Sequence, residues 1–244
     1  MARSVRKRLA FAGATVTTVG AVATLVAGFT FGLFSSSESS GANTFTAGTV
    51  TVGLGTGTTT TCTITSLMPG DSSTGYTSSG SKADTQCAYS VEYTGSANAW
   101  LGVDMTVADG TSALFGSGSS QGIQFLLKDG TPTTYVSSNA TDTGNTGFTS
   151  YTQEGGTSAA LPATGASNLL VSTTPAATGT QVQFTLDYGM PLDTGNAFNL
   201  TPASSVTVTL TFHAVQASNN VLPADCLAGQ QCNAGGDGSA FAWS

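Results

Sequence analysis

A single histidine, His213, limits the chemistry open to this chain. A Ser-His-Asp relay needs an imidazole as its general base, so any such relay would have to form around this residue. His213 lies in Ser205–Val215, where Val206, Val208, Leu210, Phe212 and Ala214 alternate with polar residues. The period of two assigns His213 to the opposite face, with Thr207, Thr209 and Thr211, away from the core. It is expected to be a surface strand residue. A zinc peptidase of the usual kind needs HExxH or a comparable cluster, which one histidine cannot supply. The 13 acidic residues are scattered, and no spacing singles out a ligand set. A calcium-loop signature is also missing, although Asp142 stands in a polar stretch rich in loop oxygens. No catalytic residue, metal or cofactor is expected.

The four cysteines are the other reactive groups. Their spacing lacks the CxxC pattern of thiolate metal sites, and in an exported chain four cysteines read as two disulfides. Three connectivities exist; Cys62–Cys87 and Cys226–Cys232 are expected, because each joins cysteines close in sequence. Leu161-Pro162-Ala163-Thr164-Gly165 matches the LPxTG sorting motif, but no apolar span and basic tail follow it. Cleavage at Thr164 would cut the domain in two, so the match is expected to be a coincidence in a loop. Trp100, Tyr76, Tyr135 and Tyr151 offer rings that could stack on a glycan if exposed, which supplies an alternative function as a carbohydrate- or surface-binding module.

The first residues are an export signal. Arg3, Arg6, Lys7 and Arg8 precede Leu9–Ser37, which holds no charged side chain. A basic start followed by an apolar run is the pattern of a secretion leader. Leu9–Phe34 is also long enough to span a bilayer, for which about 20 residues suffice, so an uncleaved membrane anchor is the alternative. Thr30-Phe31-Gly32 sets the expected cut between Gly32 and Leu33, with a cut after Gly28 as the second choice, giving a 1–32 signal peptide and a secreted, extracellular or cell-surface product. Beyond it all 13 acids remain against only Lys82 and Lys128. Phosphate contacts need Lys and Arg, so nucleic acid is a poor partner.

The rest of the chain supplies strands to position these residues. Leu33–Asn43 is polar after its first two residues and has no helical period; residues 33–43 form an extended segment. Residues 44–216 are expected to form one β-domain. Thr44–Leu54 and Thr59–Leu67 alternate as strands, and Pro69-Gly70-Asp71 ends the second with turn chemistry. Alternation returns at Cys87–Tyr93, Leu101–Val107, Ile123–Leu127, Val182–Tyr188 and Ser205–Val215. Ser137–Asn168 has no sustained period and reads as a long inserted loop. Residues 217–244 form a tail holding Cys226 and Cys232. Eight or nine strands with one apolar face each imply an all-β, antiparallel two-sheet sandwich, and the arrangement expected is a jelly roll.

Three stretches together resemble the TasA/camelysin family of secreted bacterial matrix proteins. They are Phe34–Val52 with its Thr44-Phe45-Thr46-Ala47-Gly48-Thr49-Val50, Ser66-Leu67-Met68-Pro69-Gly70-Asp71, and Thr211-Phe212-His213-Ala214-Val215-Gln216. The resemblance covers residues 1–216, excludes the cysteine-containing tail and leaves 137–168 open. It implies a subunit that polymerises with itself into biofilm-matrix fibres, with an accessory nucleator or a cell-wall anchor as further partners. It also implies that the mature N-terminal segment, Leu33–Asn43 and onward to Phe45, adds as a strand to the next subunit, with Leu33 and Phe34 as its apolar anchors. Camelysins are described as metallopeptidases, an activity that a lone outward-facing His213 argues against here. The membrane would be met only through an uncleaved leader.

Overall fold

The computed structural model describes residues 35–37, 52–54, 61–65, 67–73, 83–84, 86–109, 114–131, 133–138, 147–195, 198, 205–233 and 243. The expected cleavage site at Gly32 and Leu33, the donor-strand residues Phe34 and Phe45, and Tyr76 and Asp142 lie outside these residues.

The strands run in chain order as β1 (Ser35–Ser37), β2 (Val52–Leu54), β3 (Thr61–Thr65), β4 (Ser72–Ser73), β5 (Ala83–Asp84), β6 (Cys87–Tyr93) and β7 (Ala99–Ala108). They continue as β8 (Gln124–Asp129), β9 (Thr134–Ser137), β10 (Ser150–Thr152), β11 (Ser158–Ala160), β12 (Gly165–Leu170), β13 (Thr180–Gly189) and β14 (Ser205–Gln216). They form two sheets packed face to face. In the first, β14 pairs with β7 along one side and β7 pairs with β12; β3 and β1 share the other side of β14. In the second, β11, β10, β9, β8 and β13 are neighbours in that order, and β13 is flanked beyond by β6 with β2, and by β4 with β5. Described pairings between these strands are antiparallel apart from β4 with β5.

The period-two residues build the layer between the sheets. Leu101, Val103, Met105, Val107, Val206, Val208, Leu210 and Phe212 face inward from the first sheet, and Tyr89, Val91, Phe125, Leu127, Phe184 and Leu186 from the second. Phe184 meets Phe212 across the interface with ring centroids 5.3 Å apart, and Tyr135 packs on Phe184 at 5.2 Å. Burial pushes the phenols of Tyr89, Tyr93 and Tyr135 up, that of Tyr93 to about 12, so these core rings stay neutral. Both expected disulfides form. Cys62 on β3 and Cys87 on β6 lie in different sheets, so their bond ties the two layers together.

The turn at Pro69-Gly70-Asp71 is built as its sequence requires. Gly70 has φ +93, which disfavours other residues. The Asp71 carboxylate accepts the Met68 N–H at 2.9 Å.

One expectation needs correcting. Residues 137–168 are not one long loop, because β10, β11 and part of β12 lie within them. The first two strands have three residues each, too few to show a period. In β12 a register shift between Ala166 and Leu169 breaks the alternation.

Candidate assembly interface

The features that could serve recognition gather on the first sheet: the β14 edge, the outer face beside it and the β12 edge. At the β14 edge, β3 covers only part of the strand, from Ser205 opposite Thr65 to Thr209 opposite Thr61. Further along, β1 takes over, with Ser37 opposite His213, Ser36 opposite Ala214 and Ser35 opposite Val215. Ser35–Ser37 of the N-terminal segment thus pair with β14, the last and longest of the described strands, in the same chain.

His213 faces outward, as its position in the alternation requires, yet it is not a free surface residue. Its Nε2 lies 2.8 Å from Asp104 Oδ2, and its side chain is only 14% exposed. The pair forms because β14 and β7 run side by side with His213 opposite Gly102, two positions from Asp104. The other Asp104 oxygen accepts the Asn168 N–H at 2.7 Å. Asn168 itself holds φ +60, rare for a residue other than glycine. The central strand β7 therefore links β14 to β12 through one carboxylate. An imidazole paired with a carboxylate is two-thirds of a hydrolytic relay, but no described hydroxyl completes it.

The remaining candidate residues are tied into the structure. Tyr135 and Tyr151 are buried, Tyr135 donating its hydroxyl to Asp129 at 2.9 Å, so neither presents a stacking face. The Trp100 indole N–H is bound to Asn220 O at 2.8 Å. Lys128 reaches the fully buried Asp187 at 3.0 Å, and Ser73 Oγ donates to the same carboxylate. Glu154 and Asp225 approach Cys226, whose sulfur is bonded to Cys232 and is no thiolate ligand. The LPxTG match holds Leu161 in the core at 0% exposure, with Gly165 at φ +102 starting β12. A Cβ at Gly165 would stand 1.8 Å from Met105 O. This stretch is a fixed corner between β11 and β12, and a sorting enzyme needs an accessible extended peptide.

No protein-family model, curated protein or solved structure matches the chain. Among the described residues, no helix is long and apolar enough to cross a membrane. The two disulfides are of a kind that persists in oxidising compartments.

Sequence reasoning paired the four cysteines as they are found. It missed Asp104, Asn168 and Gly102, whose roles arise from cross-strand register. Gly102 alone carried a usable signal, as a glycine interrupting the otherwise regular strand Leu101–Val107.

Proposed function

We propose that this chain is a secreted structural subunit that polymerises with itself into extracellular, biofilm-matrix fibres. Its N-terminal segment, 33–43 and onward to Phe45, acts as a strand donated to the next copy. One observation carries the reading: beyond Thr209 the outer edge of β14 is paired, among the described residues, only with Ser35–Ser37. An edge strand presents unpaired N–H and C=O groups and is a ready template for another strand. A three-residue cover supplied by the chain's own terminus can be exchanged between copies, because the backbone bonds made within a chain and between chains are the same. Leu33 and Phe34, next to this strand, supply the apolar anchors that serine lacks. The resemblance of the N-terminal, Pro-Gly-Asp and closing-strand motifs to the TasA/camelysin family points the same way. A jelly-roll arrangement and attachment through a nucleator or cell-wall anchor belong to the same proposal.

Electron microscopy of the protein starting at Leu33, beside a version starting at Thr46, tests it. Fibres from the first and monomers from the second are expected. Monomers from both, at high concentration and over days, would overturn it.

A further inference from the structure

The opposite edge of the first sheet, β12, also carries main-chain groups that β7 does not use. Leu170 donates its N–H to Gln230 O at 2.9 Å and accepts the Gly229 N–H at 2.8 Å. Asn168 O accepts the Cys232 N–H at 2.8 Å, and Leu169 lies opposite Gln231 in antiparallel sense. Tail residues 229–232 thus make the bonds that an added strand would make.

Several contacts hold this stretch in place. The Gln231 N–H binds Thr152 O of the second sheet at 2.8 Å, and the Asn233 N–H binds Glu154 Oε2 at 3.0 Å. Gly229, at φ +80, sits where a Cβ would lie 2.6 Å from Thr134 O, so no larger residue is accommodated. The Cys226–Cys232 bond closes the loop. The Trp243 ring lies over Gly102, at 2.7 Å from the position of an added Cβ, and its Nε1–H donates to Cys232 O at 2.6 Å. Beneath the tail, Leu170 and Val215 are almost fully buried with the two cysteines.

Natural sheets protect their edges with lysine, proline, inward charges or a covering segment. The strand itself, Gly-Ala-Ser-Asn-Leu-Leu, has no charge and no proline. The tail is its only cover among the described residues.

We propose that β12 is a second strand-addition edge, which the disulfide-closed tail occupies within the chain, and that its partner when the tail is freed is the same edge of a second copy. Two copies of one edge paired antiparallel satisfy each other's bonds by two-fold symmetry. Release of the tail also uncovers Leu170 and Val215, which adds apolar area to such a contact.

The test uses the full chain carrying Cys226→Ala and Cys232→Ala, with Cys62–Cys87 left intact. Hydrogen exchange at the Leu170 amide is expected to quicken at least about tenfold, since opening of the tail then limits protection. Sedimentation is expected to show a concentration-dependent dimer. Adding Ser167→Lys, which sets a cation on the exposed edge, should return the monomer while Leu170 still exchanges fast. Parent-like exchange, a variant that stays monomeric, or a dimer indifferent to Ser167→Lys overturns the proposal. If the cysteine variant loses its near-ultraviolet dichroism, Trp243→Ala with the disulfide intact is read by the same criteria. Sedimentation is run on the same variants starting at Thr46, which lack the donated segment, while exchange is read on the full chain, so failure of the fibre reading and failure of this one are distinguishable.

Discussion

At the β14 edge of the first sheet, the cover is three residues long and comes from the far end of the chain. It is held by pairing to His213, Ala214 and Val215. At the β12 edge, the cover comes from the chain's other end, is closed by a disulfide and bonds to both sheets. Its Trp243 ring also packs on a glycine placed to receive it. The same problem, a row of unpaired backbone groups, is solved once by a short segment and once by a locked one. On the proposed fibre reading, the short cover is the one that trades partners, and the locked cover keeps its edge closed.

This contrast can be broken by perturbing the two edges separately. The largest effect is expected at the start of β12. Gly165→Ala forces a side chain against Met105 O in a backbone conformation that side chains rarely adopt, and should cost about 4 kcal/mol or more in urea denaturation. A loss below about 1 kcal/mol would mean that β12 is not rigidly seated.

The disulfides come next. Cys62–Cys87 closes a separation of 25 residues and Cys226–Cys232 one of 6, for which chain entropy gives about 3.5 and about 2 kcal/mol. Removing the first should loosen exchange protection in both sheets, because it joins them. Removing the second should loosen only β12 and the tail. Equal and global loosening in both variants would erase the distinction drawn between the edges.

The smallest effect is expected at β14. Starting the chain at Thr46 should change the unfolding free energy by about 1 kcal/mol or less, because three serine pairs on an outer edge bury little apolar surface. A larger loss would make β1 a structural strand rather than an exchangeable one.

The long strands were legible because alternation over 7 to 12 residues leaves a clear imprint. β6, β7, β13 and β14 follow it, and with them the two-layer core. Cysteine proximity along the chain was enough to pair all four. The short strands were not legible, since three residues such as Ser35–Ser37 or Ser158–Ala160 carry no period. The His213–Asp104 pair spans 109 positions and exists only through the β14–β7 register, which alternation does not number. The tail's hold on β12 runs through main-chain groups, which every residue type shares, and side-chain patterns are silent about those.

The pairing of Ser35 with Val215 also has a consequence in time. Loop closure between positions about 180 residues apart is slow and costly, and contacts of such long sequence separation form late. A ribosome makes the N-terminal segment first and β14 last, so β1 waits through most of the chain's synthesis for its place on the sheet. On the proposed fibre reading, a neighbouring copy whose own β1 has not yet paired offers its β14 edge during that interval. Order of synthesis and strand order together would then make the encounter between molecules a competitor of the encounter within one.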